Sequence, residues 1–316
     1  MALPERDFAW NVNFPIEIHI KYPFFFAHSV IKAQRVPPGS VDESGPSPKG
    51  MSAACVLVNP EHPVAQAILS RGMMEGIVFH VPPTTMRELE RKHASVLAAF
   101  PSALQAHEAH ESTMKYLQIE GEDPQLTVPA DARIMVIGTG ASDGALKPSV
   151  CHVRLHDMLP PLPNSQEERM FRSWMEASRS KKTPMLEQRP RYWCDVNDAV
   201  PAIIELLKGE TEATVYNLAG RRAWTMKATW EEFNALFQRT NAGKTGRFEF
   251  EHLEAKGIPS VAVVEVSAAE QEPQRPTLTT THAFLESKTG EGWRPTTPLR
   301  RSLMVVIAHL DNAHSS

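Results

Sequence analysis

Three places in this 316-residue chain bring chemically capable side chains close together. His107-Glu108-Ala109-His110-Glu111 sets two histidines three apart, a spacing at which both can face one site on a helix. It is not the His-Glu-x-x-His of a zinc protease, whose histidines lie four apart. On a segment this charged a solvated helix face is the expectation, and no metal is expected. The run Gly138-Thr139-Gly140-Ala141-Ser142-Asp143-Gly144 closes an apolar strand, Arg133-Ile134-Met135-Val136-Ile137, and has the glycine spacing of a phosphate cradle. Pro148 leaves no room for a helix before the next strand, Val150-Cys151-His152-Val153-Arg154-Leu155, and without a helix N-terminus the electrostatic reason for a cradle is absent. Cys55, Cys151 and Cys194 lie far apart with no Cys-x-x-Cys pair, which argues against a disulfide framework or a zinc site and suits a reducing compartment.

The elements around these residues alternate between strand and helix. Ala54-Cys55-Val56-Leu57-Val58 reads as a buried strand, with a helix beginning at Val64. Gly76-Ile77-Val78-Phe79-His80-Val81 is a second strand. Residues 84–119 read as one or two long helices, with Met86, Leu89, His93, Val96 and Leu97 in one stripe and a break at Pro101. In the second half, 166–178 is amphipathic, with Met170, Phe171, Trp174 and Met175 inward; 229–237 and 303–310 are further helices, and 261–266 is a strand. The segment most clearly organised is Arg191-Tyr192-Trp193-Cys194-Asp195-Val196-Asn197-Asp198-Ala199-Val200-Pro201. Asp195 or Asn197 can cap the helix there, and Pro201 is expected near its first turn. Gly209 is expected to end the helix in the left-handed conformation, ahead of the strand Thr214-Val215-Tyr216-Asn217-Leu218.

That segment, with Val215-Tyr216-Asn217-Leu218-Ala219-Gly220 and the closing Gly292-Trp293-Arg294-Pro295 and Pro298-Leu299-Arg300-Arg301-Ser302-Leu303, resembles the extended short-chain dehydrogenase/reductases, the NAD-dependent epimerase/dehydratase family. The resemblance implies an α/β fold: a Rossmann-like parallel sheet, here reduced, with a smaller C-terminal α+β lobe. It divides the chain into an extension over 1–50, a Rossmann-like domain over 51–160 and a lobe over 161–316. In the family the first strand runs into Gly-x-x-Gly-x-x-Gly, which holds the pyrophosphate. Here Pro60, Pro63 and Gln66 stand at those glycines within Asn59-Pro60-Glu61-His62-Pro63-Val64-Ala65-Gln66. Two prolines remove donors and Glu61 repels a diphosphate, so no cofactor is expected at Asn59, Pro60, Glu61, His62, Pro63 and Gln66.

Ile77-Val78-Phe79-His80 resembles the family's fourth strand arriving early, which implies that the second and third strand units are missing, together with the acid that holds the adenosine ribose. Ser142 lies nearest to the family's catalytic hydroxyl, and none of Tyr22, Tyr116, Tyr192 and Tyr216 is followed four residues later by the lysine that would make it a general acid/base. No catalytic residue is therefore expected.

The extension 1–50 has no counterpart in the family. It concentrates Trp10, Phe14, Tyr22, Phe24, Phe25 and Phe26, residue types that dominate protein interfaces, before a Pro-, Gly- and Ser-rich linker over 36–49. Those aromatics either pack on their own domain or dock on other protein subunits. A net charge of −4 speaks against nucleic acid and anionic membranes as partners, and no apolar run approaches the ~20 residues of a membrane-spanning helix. The expectation is a catalytically inactive dehydrogenase-like protein serving as a structural accessory subunit. The family offers a precedent in the accessory dehydrogenase-like subunit of respiratory complex I, and this suggests a mitochondrial location, with cytosolic or flagellar assemblies as alternatives. The alternative activity is an NAD(P)-dependent epimerase or reductase with a rearranged site.

Overall fold

The computed structural model describes residues 53–107, 114–121, 124–139, 150–212, 214–247 and 275–315. All belong to the second of two compact units, Met1–Pro48 and Lys49–Ser316. The aromatic arm, the linker, Ser142 and the strand expected over 261–266 lie outside the described residues.

The elements run β1 (Ala54–Leu57), α1 (Pro63–Met74), β2 (Val78–Val81), α2 (Pro83–Lys92), α3 (Ala94–Ala99), β3 (Leu104–Ala106), β4 (Lys115–Ile119), β5 (Arg133–Thr139), β6 (Cys151–Leu155), β7 (Met158–Leu159), α4 (Gln166–Arg179), β8 (Cys194–Asp195), α5 (Val196–Lys208), β9 (Val215–Leu218), α6 (Met226–Thr245), α7 (Thr279–Thr289) and α8 (Leu299–Ser315). Seven strands form one sheet in the order β3-β2-β1-β4-β5-β6-β9, and every pairing in it is parallel. This is the α/β, Rossmann-like fold expected. β7 and β8 form a separate parallel pair, and α4, α6 and α8 pack around Phe171, Trp174, Phe233 and Leu303 in a second core.

The missing strands are a correction. Val78–Val81 is the second strand, paired to β1, and Lys115–Ile119 holds the place on the other side of β1. The stretch read as helix to Ile119 is helical only to Ala99. Past Pro101 the chain turns into β3 and then β4, whose Tyr116, Leu117 and Ile119 are fully buried. A short apolar run that follows a helical stripe is ambiguous by periodicity alone. His107 sits directly after β3 rather than on a helix, and 108–113 lie outside the described residues.

One sheet face, with Leu57, Phe79, Leu117, Ile137, Val153 and Leu218, is packed by α1, α5 and α7 through residues such as Ile68, Ile203 and Leu285. On the other face, among the described residues, Val56, Val58 and Tyr116 pack against Met114, Leu126, Val128 and Ala132, and the Tyr116 ring meets His107 edge-on with centroids 6.0 Å apart. β4 and β5 are joined without a helix among the described residues, although parallel sheets are ordinarily covered on both faces.

α5 forms as its sequence demands. The Asp195 carboxylate accepts from the Asn197 N–H at 2.8 Å, capping the first turn, and the helix buries Ala199, Ile203, Ile204, Leu206 and Leu207. Each large aliphatic among them is worth about 1.5–3 kcal/mol. Pro201 stands beyond the first turn, in the interior of the helix. Gly209 ends it with φ −81° and ψ 164°, not left-handed. Its reason is space: a Cβ there would lie 2.7 Å from the Phe284 ring of α7.

Candidate functional site

In an open parallel sheet the ligand crevice lies beyond the carboxyl ends of the strands, where the strand order reverses, here between β1 and β4. The floor of that crevice is closed by Asn59, a buried residue whose Oδ1 accepts from the Ile119 N–H at 3.1 Å and ties the end of β1 to the end of β4. The turn that follows is stitched by its own side chains. His62 is the N-cap of α1, with Nδ1 accepting from the Val64 N–H at 3.2 Å. Pro63, at the first helical position, has no N–H to offer. Gln66 is 5% exposed, and its Nε2 donates to the carbonyl of Pro60. The side chain at the third glycine position thus bonds the backbone at the first.

The network continues inward. With Nε2 committed to Pro60, Gln66 has only Oε1 left to meet His93 Nε2, 2.9 Å away, so the His93 proton sits on Nε2. His93 Nδ1 then accepts from the Ser70 hydroxyl at 3.2 Å. Burial, with Lys92 adding to it, lowers the His93 pKa to about 4, so the ring is neutral near pH 7.

The space left between Glu61 and Gln66 of the turn and Thr85, Glu88, Leu89 and Lys92 of α2 is about 170 Å³. Ligand sites usually offer roughly 300–1,000 Å³. β2 ends on Val81-Pro82-Pro83 without the carboxylate that holds a ribose, so the strand is present and the acid is not. On β5, a Cβ at Gly138 would collide with the Glu120 carboxylate, which therefore occupies the carboxyl end of β4. None of Tyr116, Tyr192 and Tyr216 has a lysine one helical turn on, and Tyr116 is fully buried in β4. No metal-holding cluster of His, Cys, Asp and Glu occurs among the described residues.

A larger cavity, about 310 Å³, opens at the opposite end of the sheet between Lys115, Arg133, Met135, Cys151, Glu210 and Thr211. Its ammonium is already engaged. Lys115 Nζ donates to the carbonyls of Leu207 at 2.9 Å and of Gly209, closing the C-terminus of α5.

The residues of the second-half signature hold the lobe together. Arg191, 9% exposed, reaches Asp157 at 3.1 Å, Glu167 at 3.3 Å and Glu187 at 2.9 Å. The other Asp157 oxygen accepts from the Tyr192 N–H at 2.6 Å. Asp195 also receives the Ser302 hydroxyl of α8, and Asp198 accepts from the N–H groups of Thr296 and Thr297. Trp293 Nε1 donates to the Ala219 carbonyl at 2.9 Å. Sequence reasoning missed Ser70 and Lys115, and it counted His93 as one member of an apolar stripe. A polar residue inside such a stripe was the available signal.

No family model matches the chain, and no curated protein matches it in sequence. Solved structures similar in chain path include the Bordetella bronchiseptica enzyme WbmG in complex with NAD, at 12% identity over 84% of this chain and 96% of that one, with a TM-score of 0.46. The dTDP-glucose 4,6-dehydratase of Bacillus anthracis in complex with NAD matches at 8% identity over 83% and 98%, TM-score 0.46. RMD from Pseudomonas aeruginosa complexed with NADPH matches at 15% over 83% and 99%, TM-score 0.41. Similarity at this level assigns no activity to this chain.

Proposed function

We propose that this chain keeps a dehydrogenase-like fold without dehydrogenase chemistry and works by contact, as an accessory subunit of a larger protein assembly. The observation that carries this reading is the β1–α1 turn. Its first helical position is a proline, the next N–H is taken by His62, and Gln66 fills the space a pyrophosphate would need. A pyrophosphate site depends on free N–H groups and the positive end of a helix, and a turn that satisfies its own donors has little left to offer. Glu61 and Glu120 add negative charge at the same end of the sheet.

The opposite reading, an NAD(P)-dependent epimerase or reductase with a rearranged site, is favoured by one feature. The strand order still reverses between β1 and β4, where such folds place their ligands.

The contact reading assigns part of the binding to the arm that carries Trp10, Phe14, Tyr22, Phe24, Phe25 and Phe26. The test is purification of the tagged chain from its source, with and without residues 1–48, followed by native mass measurement. The expected result is a stable hetero-assembly that loses mass or affinity when the arm is removed. A monomer that turns over NAD(P)H would overturn the reading, and an assembly indifferent to the deletion would remove the arm from it.

A further inference from the structure

We propose that Thr183, in the loop between α4 and β8, is a phosphoacceptor for a proline-directed protein kinase. α4 ends at Arg179, Lys181 takes the left-handed conformation at φ 52°, and the Lys182 N–H closes on the Ala177 carbonyl at 2.8 Å. The chain therefore leaves the helix abruptly at Lys182. It is anchored again at Leu186, which packs against the second core around Trp174 and Phe233. Between those two points the backbone is neither helix nor strand, Lys182 and Thr183 are exposed, and Met185 is 98% exposed. Thr183 forms no hydrogen bond through its hydroxyl or its backbone among the described residues. The site stands independently of the contact reading above.

Pro184 decides the class of kinase. A kinase holds its substrate extended across a groove, and the residue before a proline is biased toward that conformation. Proline also carries no N–H. A groove that offers no partner to the N–H after the acceptor therefore selects proline there, since any other residue would bury an unpaired donor. Ser47, Thr183 and Thr297 each precede a proline in this chain, and Ser47 lies outside the described residues. Thr297 supplies the contrast. It is half-buried, its N–H donates to Asp198 at 3.0 Å, and the carbonyl of Pro298 accepts from the Arg301 N–H in the first turn of α8. A groove could take Thr297 only by unwinding the start of that helix. The transfer at Thr183 balances with ATP as co-substrate: Oγ bonds to the γ-phosphorus, the bond to the ADP oxygen breaks, ADP leaves, and the hydroxyl proton passes to the kinase's catalytic carboxylate. The product carries a charge of about −1.5 to −2 at pH 7, close in sequence to Arg179, Lys181 and Lys182. Lys181 and Lys182 are exposed and hold no ion pair among the described residues, so the modification removes most of the loop's positive charge.

The test incubates the full chain carrying Ser47→Ala with a purified mitogen-activated protein kinase and magnesium ATP, and places the phosphate by peptide mass mapping. The expected result is one phosphate per chain, at Thr183, with Thr297 unmodified. Thr183→Ala should abolish the incorporation and Thr297→Ala should leave it unchanged. Pro184→Ala, which brings back an N–H without a partner, should lower the rate about tenfold. Circular dichroism of each variant checks that the fold is kept. The chain purified from its source with phosphatase inhibitors present should carry phosphate at Thr183 as well. No incorporation, incorporation indifferent to Thr183→Ala or to Pro184→Ala, modification of Thr297 at an equal rate in the folded chain, or a Thr183 without phosphate in the chain from its source would each overturn the proposal.

Discussion

Gln66 and His93, 27 residues apart, share a 2.9 Å hydrogen bond that ties the turn after the first strand to the end of the second helix of the sheet domain. Through it the turn is closed from within by groups that offer a ligand nothing.

This bond requires His93 neutral, and the pH dependence follows with a definite sign. Its pKa is lowered by burial from 6.5 to about 4 in the folded chain. Between these values the unfolded chain binds the proton and the folded chain does not, so stability is full above about pH 6.5 and declines as pH falls toward 4. Glu168 adds to the loss at lower pH. Burial works against its charge, but the bonds from Arg172 and the Asn164 N–H outweigh that and hold its carboxyl below the usual value. Urea midpoints measured from pH 7.5 to 4 should fall in the wild type and fall less in His93→Gln. Equal slopes would show that His93 is not the titrating group.

Gln66→Leu keeps the volume and removes both bonds. It leaves the Pro60 carbonyl and His93 Nε2 without their partner. Each unsatisfied group costs roughly 1–3 kcal/mol. Chemical denaturation should show a loss of that order, and a neutral or stabilising change would mean that the turn is not held by this side chain.

At Gly209 the packing account and the conformational account predict opposite orders. A Cβ there meets Phe284 at 2.7 Å and the Glu205 carbonyl at 3.2 Å, with φ already negative. Gly209→Ala should cost about 1–3 kcal/mol, and Gly209→Asn should cost more because it is larger. If Asn were tolerated better than Ala, a left-handed backbone would be the better explanation. Thermal melts of the two variants decide it.

The three thiols should be silent in the folded chain. Burial pushes Cys55 up to about 12 and Cys151 up to about 11, and it raises Cys194 further, with Asp198 and Asp195 adding to the effect. At pH 8 about one Cys151 in a thousand would be thiolate. A chromogenic disulfide reagent should therefore react only after urea is added. Rapid reaction of one equivalent in native buffer would mark an exposed or activated cysteine.

The fold was legible where one residue type had one physical meaning. An Asp or Asn before an apolar helical stripe caps it, and of Asp195 and Asn197 it is Asp195 that does so, while the prolines at 60 and 63 could only remove donors. Residues 104–119 were not legible, because β3 is three residues long and follows a helical stripe closely, so a window long enough to show periodicity mixes two elements. The two strands seemed missing because Val78–Val81, which is the second strand beside β1, was matched to the family's fourth. The tie from Gln66 to His93 and Pro60 joins groups far apart in sequence, and no local pattern encodes such a contact.

The central claim is that the crevice beyond β1 holds no dinucleotide. Calorimetric titration of the intact chain with NAD⁺, NADH, NADP⁺ and NADPH, each taken to about 1 mM, tests it directly. The account predicts no saturable heat with any of the four. A saturable isotherm with a micromolar Kd, accompanied by cofactor density against residues 59–66, would contradict it.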